Sequence, residues 1–236
     1  MTKRIFWLVI SGYLLVTAYF VGRTYFQYTE QAEQSSLLRL EGIANAIALQ
    51  IDADVHQKVA VRYPKKDAVL FNTQDTDYYN IHYILARNAE ANMVKTPVYT
   101  MVLDSTNEHF QFIGTSADTP YYRHEYRTFN PILKEKYTEG DVVPMYKDEF
   151  GTWLSAFAPI RDMHGKAVAI VMVDEQFDGF IAKAKQAVVR NLVVSVFIIL
   201  PFILLLVYLL RRLLARQQKL RNDLENAFQT NLKISE

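Results

Sequence analysis

The sequence of 236 residues contains no cysteine and no Asn-x-Ser/Thr acceptor for glycosylation. The first absence excludes disulfide bonds, so a packed core must hold any folded part together. The two absences together are more typical of a bacterial periplasm or cell surface than of an animal ectodomain. The charges are nearly balanced, with 26 Lys and Arg against 25 Asp and Glu, which gives no sign of a nucleic-acid partner.

Motifs for catalysis are also missing. The chain has no Gly-rich phosphate loop, no Gly-x-Ser-x-Gly turn and no His-Glu-x-x-His helix. Its five histidines include no pair with zinc-ligand spacing on one predicted element, and no cysteine can complete such a site. We therefore predict no catalytic residue, no metal and no cofactor in this part of the protein.

Two stretches, Ile5 to Gly22 and Leu192 to Leu210, contain no charged residue. Each approaches the roughly 20 apolar residues that cross a bilayer. The first could be a secretory signal, although its apolar run is long for one and Arg23 stands where a small-residue cleavage site is expected. The second contains Pro201, which a membrane helix tolerates well, although a buried soluble helix is the alternative. We predict that both are transmembrane helices in contact with the lipid bilayer.

Cations at the outer ends of these helices set the predicted orientation, because Lys and Arg near a membrane helix are retained in the cytoplasm. Lys3 and Arg4 precede the first helix, and five cations follow the second between Arg211 and Arg221. We predict a multi-pass protein of the inner (plasma) membrane with one periplasmic or extracellular domain. The predicted segments are a cytoplasmic N-terminus at 1–4, membrane helices at 5–22 and 192–210, the external domain at 23–191 and a cytoplasmic segment at 211–236.

The external segment begins with helical periodicity. Apolar residues recur at spacings of three and four from Leu37 to Val55, and no proline occurs before Pro64, which predicts one long amphipathic helix. Asp75 and Asp77 are suited to the start of a second helix. The apolar stripe of that helix contains Tyr78, Ile81, Leu85 and Ala89.

Beyond Pro97 the apolar period changes to two, which predicts strands. The pairs Thr119-Pro120 and Asn130-Pro131 each place a capping residue before a proline, and each predicts a short helix. This order favours an α+β domain in which a five-stranded antiparallel sheet packs on the long N-terminal helix. The predicted strands are a hairpin at 98–104 and 109–115 and three more at 142–146, 151–160 and 166–174.

One stretch of the predicted sheet resembles a known family. The run DEFGTWLSAFAPIRD at 148–162, followed by Gly165 and the strand Val168 to Asp174, is similar to a pattern that ends many single-Cache sensor domains. Weaker matches are Asp54-Val55-His56 and the strand start at 97–101. The family consists of extracytoplasmic, PAS-like sensors of bacterial histidine kinases, diguanylate cyclases, adenylate cyclases and chemoreceptors. The resemblance extends over about residues 40–185, and Ala156-Phe157 and Met172 depart from the common pattern, so pocket size does not carry over.

The resemblance implies that a short helix carries the aromatic cluster between Tyr121 and Phe129 and covers the open face of the sheet. Arg123 on that helix could clamp a carboxylate through its forked guanidinium, or it could lie in solvent. Asp174 could accept an amine, or it could cap the following helix. Ordinary core packing is the alternative for each aromatic residue. The predicted ligand-binding residues are Arg123, Asp174, Tyr99, Met101, Tyr121, Tyr122, Trp153 and Ser155.

The cytoplasmic end shows a heptad pattern, which is typical of a two-stranded coiled coil and predicts a homodimer. The alternative is a single amphipathic helix on the membrane surface. The heptad positions are Leu213, Gln217, Leu220, Leu224, Ala227, Asn231 and Ile234.

The leading interpretation is a transmembrane receptor. A small extracellular molecule, such as an organic acid or an amino acid, would bind the external domain and change the state of a cytoplasmic output domain after Glu236. That output domain would be a histidine kinase or a nucleotide cyclase. In the alternative, the external domain docks a periplasmic protein and has no small-molecule pocket.

Overall fold

The structure is a computed structural model that describes residues 2–104, 109–148 and 151–234. The chain divides into two compact units. One unit is Tyr28–Ala182, and the other consists of Met1–Gln27 together with Lys183–Glu236. The first unit lies within the predicted external domain and contains every strand.

The helices that open the chain are set by apolar spacing and by aspartate caps. They are α1 (Thr2–Ala48), α2 (Ala53–Arg62) and α3 (Thr76–Ala91). The Asp52 carboxylate accepts hydrogen bonds from the backbone N–H groups of Asp54 (2.8 Å) and Val55 (3.1 Å). The Asp75 carboxylate accepts one from the N–H of Tyr78 at 2.9 Å. Both aspartates satisfy N–H groups that a first helical turn leaves without partners.

The prediction of one continuous helix through Val55 is therefore wrong. α1 ends at Ala48, and Asp52 has extended backbone angles and starts α2. The apolar spacing survives the break, because Ile47, Ile51 and Val59 all remain buried in one core. Periodicity alone could not detect a change of helix direction at a cap.

Among the described residues, the sheet contains six strands and not the five predicted, and it is antiparallel throughout, which confirms the α+β class. The spatial order is β3-β2-β1-β6-β5-β4. The strands are β1 (Tyr99–Asp104), β2 (His109–Thr115), β3 (Glu125–Tyr126), β4 (Asp141–Asp148), β5 (Gly151–Arg161) and β6 (Ala167–Gln176). A short helix, α4 (Ile132–Glu135), precedes β4, and a long helix, α5 (Asp178–Ile234), follows β6.

The short helix predicted after Thr119-Pro120 is wrong, whereas the one after Asn130-Pro131 is confirmed as α4. The chain before β3 instead follows the edge of β2. Arg123 donates its N–H to the carbonyl of Phe112 (2.6 Å), and Phe112 donates to the carbonyl of His124 (3.1 Å). Arg123 also has a φ of 55°, which interrupts any right-handed helix.

Helices cover one face of the sheet. The core on that face is largely aliphatic and joins α1, α2 and α3 to inward-facing strand residues such as Ile113, Val171 and Leu154. Close approach of α3 to β2 depends on Gly114, because a Cβ there would lie 2.6 Å from Cγ2 of Ile81. The opposite face carries a second apolar cluster, described below.

The other unit contains the first part of α1 and most of α5. Within the described residues, α5 is the one helix long and apolar enough to cross a membrane, and it continues through Pro201. The first apolar run lies on α1, where the side chains of Thr2 to Phe6 and of Val9 are not described. Two membrane helices are thus not shown, and the crossing by residues 5–22 stays a prediction.

Candidate ligand-binding site

The face of the sheet opposite the helices carries an aromatic and methionine-rich cluster, here called the open-face cluster. Register places its members in rows across the strands. Tyr99 of β1 pairs with Met172 of β6, which pairs with Phe157 of β5. Cross-strand partners point to the same side of a sheet, so these three side chains form one row. The buried members are Met101, Phe110, Leu133, Val143, Phe157, Ile170 and Met172.

Polar groups enter this cluster at one end of β6. The Tyr99 hydroxyl donates a hydrogen bond to Oδ2 of Asp174 at 2.5 Å. The next row places Ser155 opposite Asp174, and the Ser155 hydroxyl lies 3.1 Å from the Tyr146 hydroxyl. Thr96 donates to the backbone carbonyl of Asp174. The Asp174 carboxylate and the hydroxyls of Tyr99, Tyr146 and Ser155 therefore lie in neighbouring positions beside aromatic rings.

The tyrosine that binds Asp174 is held in its neutral form. Burial raises the pKa of Tyr99 well above its ordinary value of 10.0, and the charge and hydrogen bond of Asp174 raise it further. The nearby Tyr126 and Tyr146 act in the same direction. Tyr99 therefore remains a hydrogen-bond donor at any physiological pH.

The segment that contains β3 and α4 covers part of the open-face cluster. The Phe129 ring packs edge-on against Phe110, with centroids 4.8 Å apart. Phe112 contacts Tyr99 in the same edge-on manner at 5.0 Å and lies 6.0 Å from Tyr126. Edge-to-face pairs of this kind stabilise beyond their buried area and fix ring orientation.

Five of the eight predicted site residues come together here. Tyr99, Met101, Ser155 and Asp174 belong to adjacent rows, and Trp153 lies on the same side of β5, opposite Tyr146. Asp174 does not cap the following helix, because α5 begins four residues later at Asp178. As ligand contacts, these residues stay predictions.

Tyr121 and Tyr122 lie elsewhere. Tyr122 is fully buried on the helix side of the sheet, where its hydroxyl contacts the carbonyls of Val59 (3.1 Å) and Tyr63 (3.0 Å). Tyr121 is 53% exposed and contacts the ring of His124. The turn at 122–123 sends successive side chains in different directions, which a helical projection of the sequence could not foresee.

The guanidinium of Arg123 forms hydrogen bonds within the protein, near the end of α2. It donates to the carbonyls of Tyr63 (2.9 Å) and Ala60 (2.6 Å) and to the side chain of Gln111. A role in clamping a ligand carboxylate would require these bonds to be exchanged. In this structure the side chain ties α2 to β2.

Sequence reasoning did not place Tyr146, Phe112 or Met172 among the ligand-binding residues, although Met172 was noted as a departure from the family pattern. Tyr146 ends a predicted strand, and a β-bulge after Val143 turns its hydroxyl toward Ser155. Phe112 lies two residues after Phe110 on the predicted hairpin, so the two side chains point to the same face of the sheet. The period of two in the sequence could have identified Phe112 as a neighbour of Phe110. The bulge that positions Tyr146 leaves no such pattern in the sequence.

Comparison with known proteins identified no matching protein-family model and no matching curated protein. Solved structures do match. The sensor domain of E. coli DcuS is 15% identical with a TM-score of 0.40, over 63% of this chain and 98% of that one. The sensory domain of the Campylobacter jejuni chemoreceptor Tlp3 with isoleucine bound is 13% identical with a TM-score of 0.40, over 75% and 64%. The extracellular domain of the histidine kinase mmHK1S-Z2 is 13% identical with a TM-score of 0.32, over 72% and 62%.

The structural neighbours named here are thus sensor domains of chemoreceptors and histidine kinases. Because these structures are below 25% identical to the chain and their TM-scores are below 0.5, nothing about the ligand of this chain follows from the likeness.

Proposed function

We propose that residues 23–191 form the sensing domain of a two-span membrane receptor that binds a small molecule on the open face of the sheet. The observation that carries this proposal is the Asp174–Tyr99 pair, at 2.5 Å, set among aromatic rings at the end of β6. Ligand sites typically combine an apolar, aromatic lining with a few convergent polar groups. β6 leads through Phe177 directly into α5, so the site lies next to the predicted path to the cytoplasm.

The chemistry of this end of the sheet favours a ligand with a cationic amine. A carboxylate attracts an ammonium group directly, and the faces of tyrosine, phenylalanine and tryptophan rings attract it through their quadrupoles. The guanidinium of Arg123 already has three acceptors in the protein, which weighs against a ligand held by its carboxylate alone. An amino acid satisfies this requirement with its amine at Asp174.

The segments before and after this domain complete the proposed receptor. Residues 5–22 and 192–210 anchor it in the inner membrane, and residues 211–236 join two copies as a coiled coil ahead of a kinase or cyclase domain. Ligand exchange at Asp174 would compete with the Tyr99 hydroxyl and change the position of the β6 end. That change reaches α5 within a few residues.

The test is a ligand-induced melting shift on the full chain in detergent. Amino acids, simple amines and organic acids are screened, and a ligand at 100 times its Kd should stabilise the folded domain by about 2.7 kcal/mol. Asp174→Asn should abolish the shift. Asp54→Asn, which neutralises an exposed carboxylate on α2, should keep it. Equal shifts in the two variants would reject the site at Asp174.

The alternative function, docking of a periplasmic protein, is favoured by one surface of α3. Tyr79 and Tyr83 are 42% and 51% exposed, and their ring centroids are 6.3 Å apart. Paired exposed tyrosines are common anchors in protein interfaces. If no small molecule shifts the melting temperature, and a Tyr79→Ala/Tyr83→Ala variant loses signalling while keeping its fold, this function replaces the first.

A further inference from the structure

The part of α5 directly after its apolar run carries a dense group of cations. The run ends at Leu210, and five cations follow within the next eleven residues. No Asp or Glu occurs in the sequence from 179 to 222, and acidic residues return only at Asp223 and Glu225. Among the residues that the structure describes, none forms a salt bridge with these cations. The cations are Arg211, Arg212, Arg216, Lys219 and Arg221, and all are exposed.

Most of these cations lie on one side of the helix. With a rotation of about 100° per residue, four of them fall within an arc of about 140°, and Arg221 lies outside that arc. Leu213, Leu220 and Leu224 fall within about 40° of one another beside the arc, and they are 59%, 55% and 69% exposed. α5 therefore presents charge on one side and leucines on another. The four cations, here called the basic face, are Arg211, Arg212, Arg216 and Lys219.

The basic face lies within reach of a membrane surface if residues 192–210 cross the bilayer. A helix rises about 1.5 Å per residue, so Arg211 lies about 1.5 Å beyond Leu210 and Lys219 lies about 14 Å beyond it. The headgroup layer on each side of the hydrocarbon is about 5–7 Å thick. The Cα–Cβ bonds of α5 tilt toward its N-terminus, which is the membrane side of this segment, and long cationic side chains extend their charge to the interface. Electrostatic attraction covers the remaining distance, because the screening length is about 8 Å in physiological salt.

We infer that the basic face binds anionic phospholipid headgroups and that this contact tilts α5 toward its charged side. The inference rests on the proposed membrane span, because headgroups lie beside Arg211 only if residues 192–210 cross the bilayer. Three of the four cations are arginines, whose forked guanidinium can donate two hydrogen bonds to one phosphate. Anionic lipids attract such cations more strongly than zwitterionic lipids do, since the latter offer a phosphate without net charge.

Headgroup binding makes a demand on these cations that membrane orientation does not. Retention in the cytoplasm depends on the number of Lys and Arg residues near the end of a membrane helix. Binding by one side of α5 depends also on their position around the helix axis. Position around the axis is therefore the property to test.

The experiment measures the lipid selectivity of the full chain in phosphatidylcholine nanodiscs. Spin-labelled phosphatidylglycerol or phosphatidylcholine is added in trace amounts, and electron paramagnetic resonance gives the fraction of each lipid whose motion the protein restricts. Phosphatidylglycerol should be restricted several-fold more than phosphatidylcholine at low salt. The preference should decrease in about 1 M salt, where the screening length falls to about 3 Å. Equal restriction of the two lipids would overturn the inference.

Matched variants show which cations cause the preference. Arg216→Gln should reduce it, whereas Arg221→Gln, the same change outside the basic face, should leave it nearly unchanged. Arg216→Gln/Gln217→Arg keeps the total charge and moves one cation by about 100° around the axis, so it should reduce the preference as Arg216→Gln does. Equal losses in the two single variants, or a full preference in the charge-conserving variant, would show that only the number of cations counts and would overturn the inference.

Replacement of all four residues of the basic face by glutamine should abolish most of the preference. A preference that survives this change in full would assign it to other cations of α5, such as Lys183, and would refute the basic face. The replaced side chains are exposed, so the melting temperature of the external domain should stay unchanged. Both sides of a nanodisc contain the same lipids, so the result does not depend on the orientation of insertion.

This test and the melting-shift test can fail separately. No ligand is needed here, so a chain that restricts both lipids equally would leave the site at Asp174 intact. Unchanged melting shifts in Asp174→Asn would likewise leave the basic face intact. A chain that restricts neither lipid would contradict the membrane span itself, and with it this inference.

Discussion

The two faces of the sheet are built from different side chains. The helix-covered face is packed mainly with leucine, isoleucine, valine and alanine, whereas the open face is packed with phenylalanine, tyrosine and methionine. On the helix side, the Tyr122 hydroxyl contacts two carbonyls, one in α2 and one directly after it. On the open face, a carboxylate and hydroxyls meet at the end of one strand. The difference supports our proposal that the open face binds a ligand while the helix-covered face stabilises the fold.

The largest effect should come from a cavity on the helix side. Leu85 of α3 is completely buried, and Leu85→Ala should lower the free energy of unfolding by about 2–5 kcal/mol. Chemical denaturation measures it, with Leu70→Ala as a control because Leu70 is 58% exposed. A loss of under about 1 kcal/mol would contradict the assignment of this face as the stabilising core.

His56 should make the helix side sensitive to acid. Its imidazole is buried, with Nε2 2.8 Å from the hydroxyl of Thr100, and burial lowers its pKa from 6.5 to about 4. Between pH 6.5 and about pH 4, the unfolded chain binds a proton that the folded chain does not. The free energy of unfolding therefore decreases as the pH falls through this range. The expected loss is roughly 3 kcal/mol.

The measurement is urea unfolding at several pH values for the native chain and His56→Asn. Carboxylates also titrate in this range, and the difference between the two proteins isolates the histidine. Parallel stability curves from pH 7 to pH 4 would contradict the prediction.

A smaller effect is expected on the open face. Tyr99→Phe removes the hydrogen bond to Asp174, which should cost about 1.5–3 kcal/mol if the carboxylate is poorly satisfied and less if solvent replaces the hydroxyl. We expect the ligand-induced melting shift to change more than the stability of the ligand-free protein. A variant that loses stability but binds unchanged would place Asp174 among the structural residues, as on the other face.

The smallest effect should come from the rim, which belongs to neither face. Arg39 and Glu175 have side chains 41% and 26% exposed, and a solvent-accessible ion pair of this kind contributes less than about 1 kcal/mol. Arg39→Gln should therefore leave the melting temperature nearly unchanged. Restoration of any loss by Arg39→Lys would show that charge alone matters, because lysine cannot reproduce the contact of the guanidinium with Asn92.

Local patterns predicted much of this fold. The hairpin strands and the last three strands lie within a few residues of their predicted positions, since alternation of side chains is visible in sequence. The break between α1 and α2, the turn at Arg123 and the bulge in β4 depend on backbone geometry that carries no periodic signal. Tyr99 and Asp174, both predicted site residues on strands, lie in contact, whereas Tyr122 is packed in the core, which was the alternative for each aromatic residue.

Consecutive carboxylates on β6 also limit how far this strand can move. Asp174 faces the aromatic cluster and Glu175 faces Arg39, because successive side chains of a strand point to opposite sides. A slip of one residue, about 3.3 Å, would exchange them and turn Val171 and Val173 out of the aliphatic core. A displacement of β6 that keeps its pairing with β1 and β5 is therefore smaller than one residue step, about 3.3 Å.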